Sequence, residues 1–110
     1  MSQFRPILRL SVTAAVALTG ERFVTKAGTV PAAAAKAFGV LRGDTAIGAL
    51  GTVDVLGTAI CAAGAAVADD ADLELDAVGR VITRTAGVKV GKAIMAAAAA
   101  GDRIEILMTP

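Results

Sequence analysis

The sequence predicts a mainly β fold: a small single-domain barrel or sandwich assembled from two similar units of about 51 residues, with at most one or two short helices. Three observations carry this. Several short segments alternate apolar and polar residues with the period of two expected of half-buried strands. Twelve glycines are spread along the chain, as suits many short strands joined by tight turns. The sequence also echoes itself at a spacing of 51 residues, within the range where internal repeats are found. At 110 residues the chain can bury one core and is too short for two domains.

The elements follow in order. Residues 1–6 read as an N-terminal arm, since Pro6 cannot donate to a strand ladder and favours an extended residue before it. Residues 7–110 form the single domain, with copies at 7–57 and 58–108. Leu8-Arg-Leu-Ser-Val12 alternates as a strand. Arg22 to Val30 reads as strand, glycine turn, strand, with Gly28 where the turn needs positive φ. Pro31-Ala-Ala-Ala-Ala-Lys-Ala37 places proline at a helix start ahead of strong helix formers, enough for one or two helical turns. Thr52-Val-Asp-Val-Leu56 alternates after Gly51, and Leu73 to Thr83 repeats the hairpin around Gly79. Ala96 to Ala100 is too short to hold a helix alone and reads as a strand end passing into a loop. Arg103-Ile-Glu-Ile-Leu-Met108 is the closing strand.

The repeat is visible at four places. Ala14-Ala-Val-Ala17 returns as Ala65-Ala-Val-Ala68. Val24 to Val30 falls on Leu75 to Val81, and Val53 to Leu56 on Ile104 to Leu107. With one residue of slip, Phe38-Gly39 falls on Val90-Gly91. The repeat also answers a competing reading. Arg5 and Arg9 ahead of Leu10 to Leu18, with Ala15-Val-Ala17 in the place of a cleavage site, imitate a secretory leader. The mid-chain twin of that segment assigns it to the fold instead.

Composition excludes several chemistries. The chain has no His, which removes Ser-His-Asp and Cys-His nucleophile systems, His-ligated metals and imidazole acid–base catalysis. One cysteine makes neither an internal disulfide nor a zinc cluster. A net charge of +1 gives no electrostatic footprint for nucleic acid. The longest uncharged stretch, Val55 to Ala68, contains Gly57 and Gly64 and is shorter than the roughly 20 residues of a spanning helix. About a quarter of the residues are alanine, so the core is built from small side chains.

Individual residues read as follows. Cys61, within Ala59-Ile-Cys-Ala-Ala63, behaves as a small buried hydrophobe. Asp69, Asp70, Asp72, Glu74 and Asp76 read as a solvated loop and strand face, because Gly79 comes too late for a calcium loop. Gly39, Gly43, Gly48 and Gly51 are turn residues, since the Gly-Lys-Ser/Thr ending of a phosphate loop is missing. Phe23 and Phe38 belong to the core. Phe4, Arg5, Pro6 and Arg9, an apolar anchor and two cations around a proline, are the interface candidates.

One resemblance covers nearly the whole chain. Ala77-Val-Gly-Arg-Val-Ile-Thr83, Val90-Gly-Lys-Ala-Ile94, the alanine run ending at Asp102, and the strand Arg103 to Leu107 make up its second half. Phe23-Val-Thr-Lys-Ala-Gly28 and Phe38-Gly-Val40 contribute from the first half. Together they resemble the small capsid decoration, or cement, proteins of tailed bacteriophages and prophages. The resemblance implies a β-rich, non-enzymatic virion protein without cofactor or metal, made in the host bacterial cytoplasm. It implies binding to the outer surface of a phage head through the major capsid protein, and stabilisation of the capsid. It implies a homo-oligomer, with trimers over three-fold positions the common arrangement, and neither nucleic acid nor membrane as partner. It supplies no catalytic residues, and Phe4, Arg5 and Arg9 match no motif of the family. The alternative is a generic β-rich module for carbohydrate or lipid, possibly exported; sugar sites favour aromatic platforms, and this chain has no Trp or Tyr.

Overall fold

The closing strand shows its alternation directly: Ile104, Ile106 and Met108 are buried, while Arg103 and Leu107 face outward. The computed structural model describes residues 6–108, with side chains from Arg9 onward. Every regular element in this span is a strand. In order they are β1 (Pro6–Thr13), β2 (Phe23–Val24), β3 (Gly39–Leu41), β4 (Leu50–Ala62), β5 (Asp72–Leu75), β6 (Val81–Thr83), β7 (Gly91–Ala93) and β8 (Arg103–Met108). They form one antiparallel sheet system in the order β2-β3-β4-β8-β7-β5-β6, with β1 on β4.

β4 joins the two units. Its first half is flanked by β1 and β3, and its second half pairs with β8. Between the halves lies Gly57, at φ 94. The first unit is therefore β1, β2, β3 and the start of β4. The second is the end of β4 with β5 to β8.

The hydrogen-bond registers of the two halves correspond pair by pair, at spacings other than 51 along the strands. Arg9↔Asp54 through Thr13↔Leu50 in the first unit matches Thr58↔Leu107 through Ala62↔Arg103 in the second. Phe23↔Val40 and Val24↔Gly39 match Asp72↔Lys92 and Leu73↔Gly91. The isolated bridge Leu18↔Thr45 matches Val67↔Ala97. Even the strained corners correspond: Glu21 and Asp70 hold φ 62 and 70 without being glycine. The spacing is thus 49 residues for the first strand of each unit, 52 at β3 and β7, and 53 for the last strand. The spacing of 51 holds only at the turns. There, Thr25 N–H donates to Thr29 C=O at 2.9 Å, and Asp76 N–H to Arg80 C=O at 2.9 Å. Gly28 and Gly79 sit in those turns at φ 83 and 84. A Cβ on Gly28 would collide with the Thr13 carbonyl, and one on Gly79 would lie 2.7 Å from the Phe23 carbonyl.

The two hairpins are not equal. After Gly79 the chain continues as β6, pairing Leu75↔Val81 through Leu73↔Thr83. After Gly28 the expected second strand of the hairpin is absent, and the next strand is β3. The second unit has two extra residues before its turn, Glu74 and Leu75, and these supply the ladder that β6 needs. The expected helical turn at Pro31 to Ala37 is also absent. Ala34 sits at φ 62, and its N–H donates to the Leu75 carbonyl at 2.9 Å rather than into a helix. Ala96 to Ala100 is a loop, held by the Val67↔Ala97 bridge.

Two apolar clusters form the core. The smaller, in the first unit, contains Val12, Leu18, Val24, Leu41 and Val53, with Phe38 half-buried against it. The larger fills the second unit around Leu73, Leu75, Val81, Ile104 and Ile106, and it draws in Phe23 and Val40 from the first. Main-chain bonds tie the seam: Phe23 N–H donates to Gly79 C=O at 2.8 Å, Ala62 N–H to Glu21 C=O at 2.7 Å, and Val88 N–H to Ala34 C=O at 3.0 Å. Shared core and shared backbone bonds make the two units one domain.

Candidate binding surfaces

Of the four residues singled out at the N-terminus, Phe4 and Arg5 lie outside the described residues. Pro6 is the first residue of β1, opposite Gly57, so the strand starts one residue before Ile7. Arg9 lies on β1 opposite Asp54, and its Nε donates to Asp54 Oδ1 at 3.1 Å. Arg42 approaches the other oxygen, Oδ2, at 3.8 Å. Alternation in Thr52 to Leu56 puts Asp54 on the polar side of β4, yet its side chain is only 4% exposed because the two arginines cover it. Burial pushes the Asp54 carboxyl above the ordinary carboxylate range, against the opposing pull of Arg42 and Arg9.

This cluster opens into a cleft of about 220 Å³ lined by Glu21, Val40, Leu41, Arg42, Asp54, Ile60 and Arg103. At its edge Arg103 grips Glu21 across the seam, and that pairing holds the guanidinium above its ordinary pKa. The lining offers fixed charges and apolar walls and no nucleophile beside a base. Glu21, Arg42 and Arg103 carried no signal in the sequence, because nothing local distinguishes them from solvated strand ends.

A second cleft, of about 210 Å³, straddles the seam elsewhere. Phe38 and Val55 of the first unit line it together with their repeat equivalents, Val90 and Met108, and with Phe23. Lys36 and Lys89 stand at this cleft. Lys89 is paired with Asp72 at 3.2 Å.

The acidic stretch is dispersed rather than gathered. Asp70 pairs with Lys92 at 2.9 Å, and Asp76 caps its own turn by accepting from the Val78 and Arg80 N–H groups. Glu74 is buried and accepts from the N–H of Thr85 at 2.6 Å and of Gly87 at 3.2 Å, and these bonds hold its carboxyl below the ordinary range. Among the described residues no three Cys, Asp or Glu side chains converge to hold a metal ion. No helix among them is long and apolar enough to cross a membrane. Cys61 is buried, at the position that Val12 fills in the first unit.

The remaining unusual surface is apolar. Ile47 and Leu50, in the turn entering β4, are 69% and 72% exposed, and Val16 in the facing loop is 42% exposed. Nothing in the local pattern distinguishes this pair, since Ile47 lies in an ordinary-looking turn around Gly48 and Leu50 opens the strand after it.

Comparison with known proteins adds three findings. The profile of a family described as phage cement protein matches residues 2–108. In structure, the chain is similar to the N base of head fiber gp8.5 of bacteriophage phi29, with a TM-score of 0.76, 15% identity, and 93% of each chain covered. Nothing among curated protein sequences matches.

Proposed function

Because the chain belongs to the phage cement protein family, we propose that it binds the outer surface of a phage head and strengthens the shell as a structural, non-enzymatic component. The family match over residues 2–108 is the observation that carries this reading. The fold agrees with it, because a cement protein needs a compact body with exposed faces and no titrating machinery. A fold shared with a phage head fiber base shows that this architecture serves on phage heads in another protein.

The partner in this reading is the major capsid protein. Many identical copies on one lattice make avidity, rather than single-site affinity, the operating quantity. Phe4 and Arg5, with Pro6 and Arg9 behind them, are the proposed shell contact. Ordering such a segment costs about 1–2 kcal/mol per residue, while burying Phe4 returns only about 1.5–3 kcal/mol. Main-chain pairing to a strand edge of the shell supplies the balance. Arg9 contributes indirectly, since its guanidinium already holds Asp54.

The test is co-sedimentation with preassembled heads of the phage whose genome carries the gene. Full-length protein coats the heads, and protein lacking residues 2–5 keeps its fold and coats them less. Failure of the full-length chain to sediment with heads sinks the head-surface reading. Equal coating by the truncated chain removes the N-terminal contact and leaves the rest.

A further inference from the structure

The two clefts have nearly equal volumes and differ in how their charges are settled. In the first, of about 220 Å³, Arg103 closes on Glu21, while Arg9 and Arg42 close on Asp54. Its cations are matched from within the chain. The second, of about 210 Å³, is walled by Phe23, Phe38, Val55 and Met108, with Lys36 and Lys89 beside them. Lys36 forms no ion pair among the described residues. Lys89 meets Asp72 at 3.2 Å, in a pair whose side chains are 41% and 52% exposed. Such a pair contributes little, and an ammonium with three donors can take a second carboxylate.

The correspondence between the halves shows that these lysines serve the cleft rather than the fold. Phe38 N–H donates to Val24 C=O and Val90 N–H to Leu73 C=O, each at 2.9 Å, so Phe38 corresponds to Val90. Counting back along both segments, Lys36 corresponds to Val88 and Ala37 to Lys89. The same local backbone thus accepts Val where Lys36 stands and Ala where Lys89 stands. Neither cation is required by the chain path, yet the two come from non-equivalent positions to one cleft.

We infer that this cleft is a socket for one large apolar side chain carried on an acidic stretch of the major capsid protein. The inference rests on the head-surface reading and names the place and the chemistry of that contact. Volume limits the occupant. An apolar cavity of about 150 Å³ admits a benzene ring, so this cleft takes one aromatic or large aliphatic side chain and neither a long acyl chain nor a helix. Charge selects what flanks it. Two lysines against the single carboxylate of Asp72 leave a positive rim, which favours carboxylates next to the inserted group. A buried apolar anchor is the kind of contact that carries binding energy, and repetition over a shell multiplies a weak single contact.

The experiment is co-sedimentation of the full chain with preassembled heads at about 0.05 M and about 0.5 M NaCl, where screening differs severalfold in range. Lys36→Val/Lys89→Ala gives each position the residue of its counterpart and removes both cations. Ala37→Leu fills the cleft, and Lys89 at the corresponding position is the precedent for a long side chain there. Lys26→Ala, an exposed cation outside the cleft, is the control. Circular dichroism verifies each fold; if Ala37→Leu does not fold, the lysine variant decides. Wild type and control should coat heads alike, and each cleft variant should need at least about tenfold more protein for half coverage at the lower salt. At the higher salt the deficit of the lysine variant should shrink and that of Ala37→Leu persist. Coating equal to wild type by a folded cleft variant overturns the inference and leaves the head-surface reading standing. Cleft variants that change the oligomeric state of the free protein in light scattering give the cleft to a second copy and overturn it too. Heads left bare by wild type itself sink the head-surface reading, and the shell as occupant with it.

Discussion

Arg103, at the start of the last strand, binds Glu21, at the corner before β2, through Nε to Oε1 at 2.7 Å and Nη2 to Oε2 at 2.5 Å. The two residues are 82 positions apart and belong to different units. Their backbones are joined as well, because the Glu21 carbonyl accepts from Ala62 N–H. The bidentate pair therefore sits on a corner already fixed by main chain. Exposed ion pairs of this kind contribute little and are screened by salt. Arg103→Ala lowers the urea midpoint slightly at low salt, and the gap to wild type closes at about 1 M NaCl, where the Debye length is about 3 Å. A gap undiminished by salt would assign Arg103 a packing role instead.

Gly28 and Gly79 share one backbone conformation, but a side chain at either meets different atoms. Left-handed backbone costs an L-residue roughly 1–2 kcal/mol. Gly48, at φ 83, faces open space, so Gly48→Ala incurs that cost alone. At Gly28 the new methyl also meets the Thr13 carbonyl, and at Gly79 the Phe23 carbonyl at the seam. Gly28→Ala and Gly79→Ala should each lose about 2 kcal/mol or more in chemical denaturation, and more than Gly48→Ala. Equal losses at all three positions would show that the close approaches are relieved by small shifts.

The strands and the correspondence between the two halves are legible because both leave marks in local sequence. Glycine turns at 28 and 79 and the alternation in 52–56 and 103–108 survive as written. The spacing at the strands differs from 51 for a physical reason. A strand pattern has period two, so a slip of two residues keeps every side chain on its own face. Val53 matches Ile104 in pattern while its structural equivalent is Ile106, with the same alternation. The glycine turns, which have no such periodicity, fixed the spacing of 51 correctly. The alanine run at 32–35 misled for a different reason: propensity favours helix there, and the bond from Ala34 to Leu75, a partner 41 residues away, overrides it. The clefts were illegible because their walls come from both units.

Leu73 is fully buried in the larger cluster and is the counterpart of Val24. Leu73→Ala removes three heavy atoms from the side of the core that joins β5 to β7, and should cost about 2–5 kcal/mol in chemical denaturation. Leu50→Ala, at an exposed site, should stay within about 0.5 kcal/mol for the isolated chain. A loss of similar size at both would mean that the turn at 46–49 is part of the cooperative core.

Cys61 is closed off from solvent in the larger cluster, and burial pushes its thiol pKa well up, with the charges of Glu21 and Asp76 adding to the effect. Only thiolate attacks a disulfide reagent. Native protein should therefore react with such a reagent at pH 8 no faster than it opens, and denatured protein at once. Stoichiometric labelling of the native chain within seconds would contradict its burial.

Glu74 and Asp54 are both buried carboxylates, and they predict opposite responses to acid. The N–H groups of Thr85 and Gly87 stabilise ionised Glu74, so its folded pKa lies below the unfolded one. Its contribution is fully present above the unfolded value, about 4.3, and is lost as the pH falls through the lower, folded value. Asp54 is raised by burial, more than Arg42 and Arg9 lower it, so its ionised form weakens the fold above the folded pKa. That penalty is relieved as the pH falls through the folded value toward the unfolded one, about 3.9. Stability should be measured by urea denaturation from pH 7 down to about pH 3. Between those limits wild type should lose ground to Glu74→Gln as the acid side is approached, because the variant has no carboxylate to protonate. Against Asp54→Asn wild type should gain ground over the same range. If both differences drift in the same direction, the two carboxylates do not have the environments described, and the backbone bonds at Glu74 are the first to re-examine.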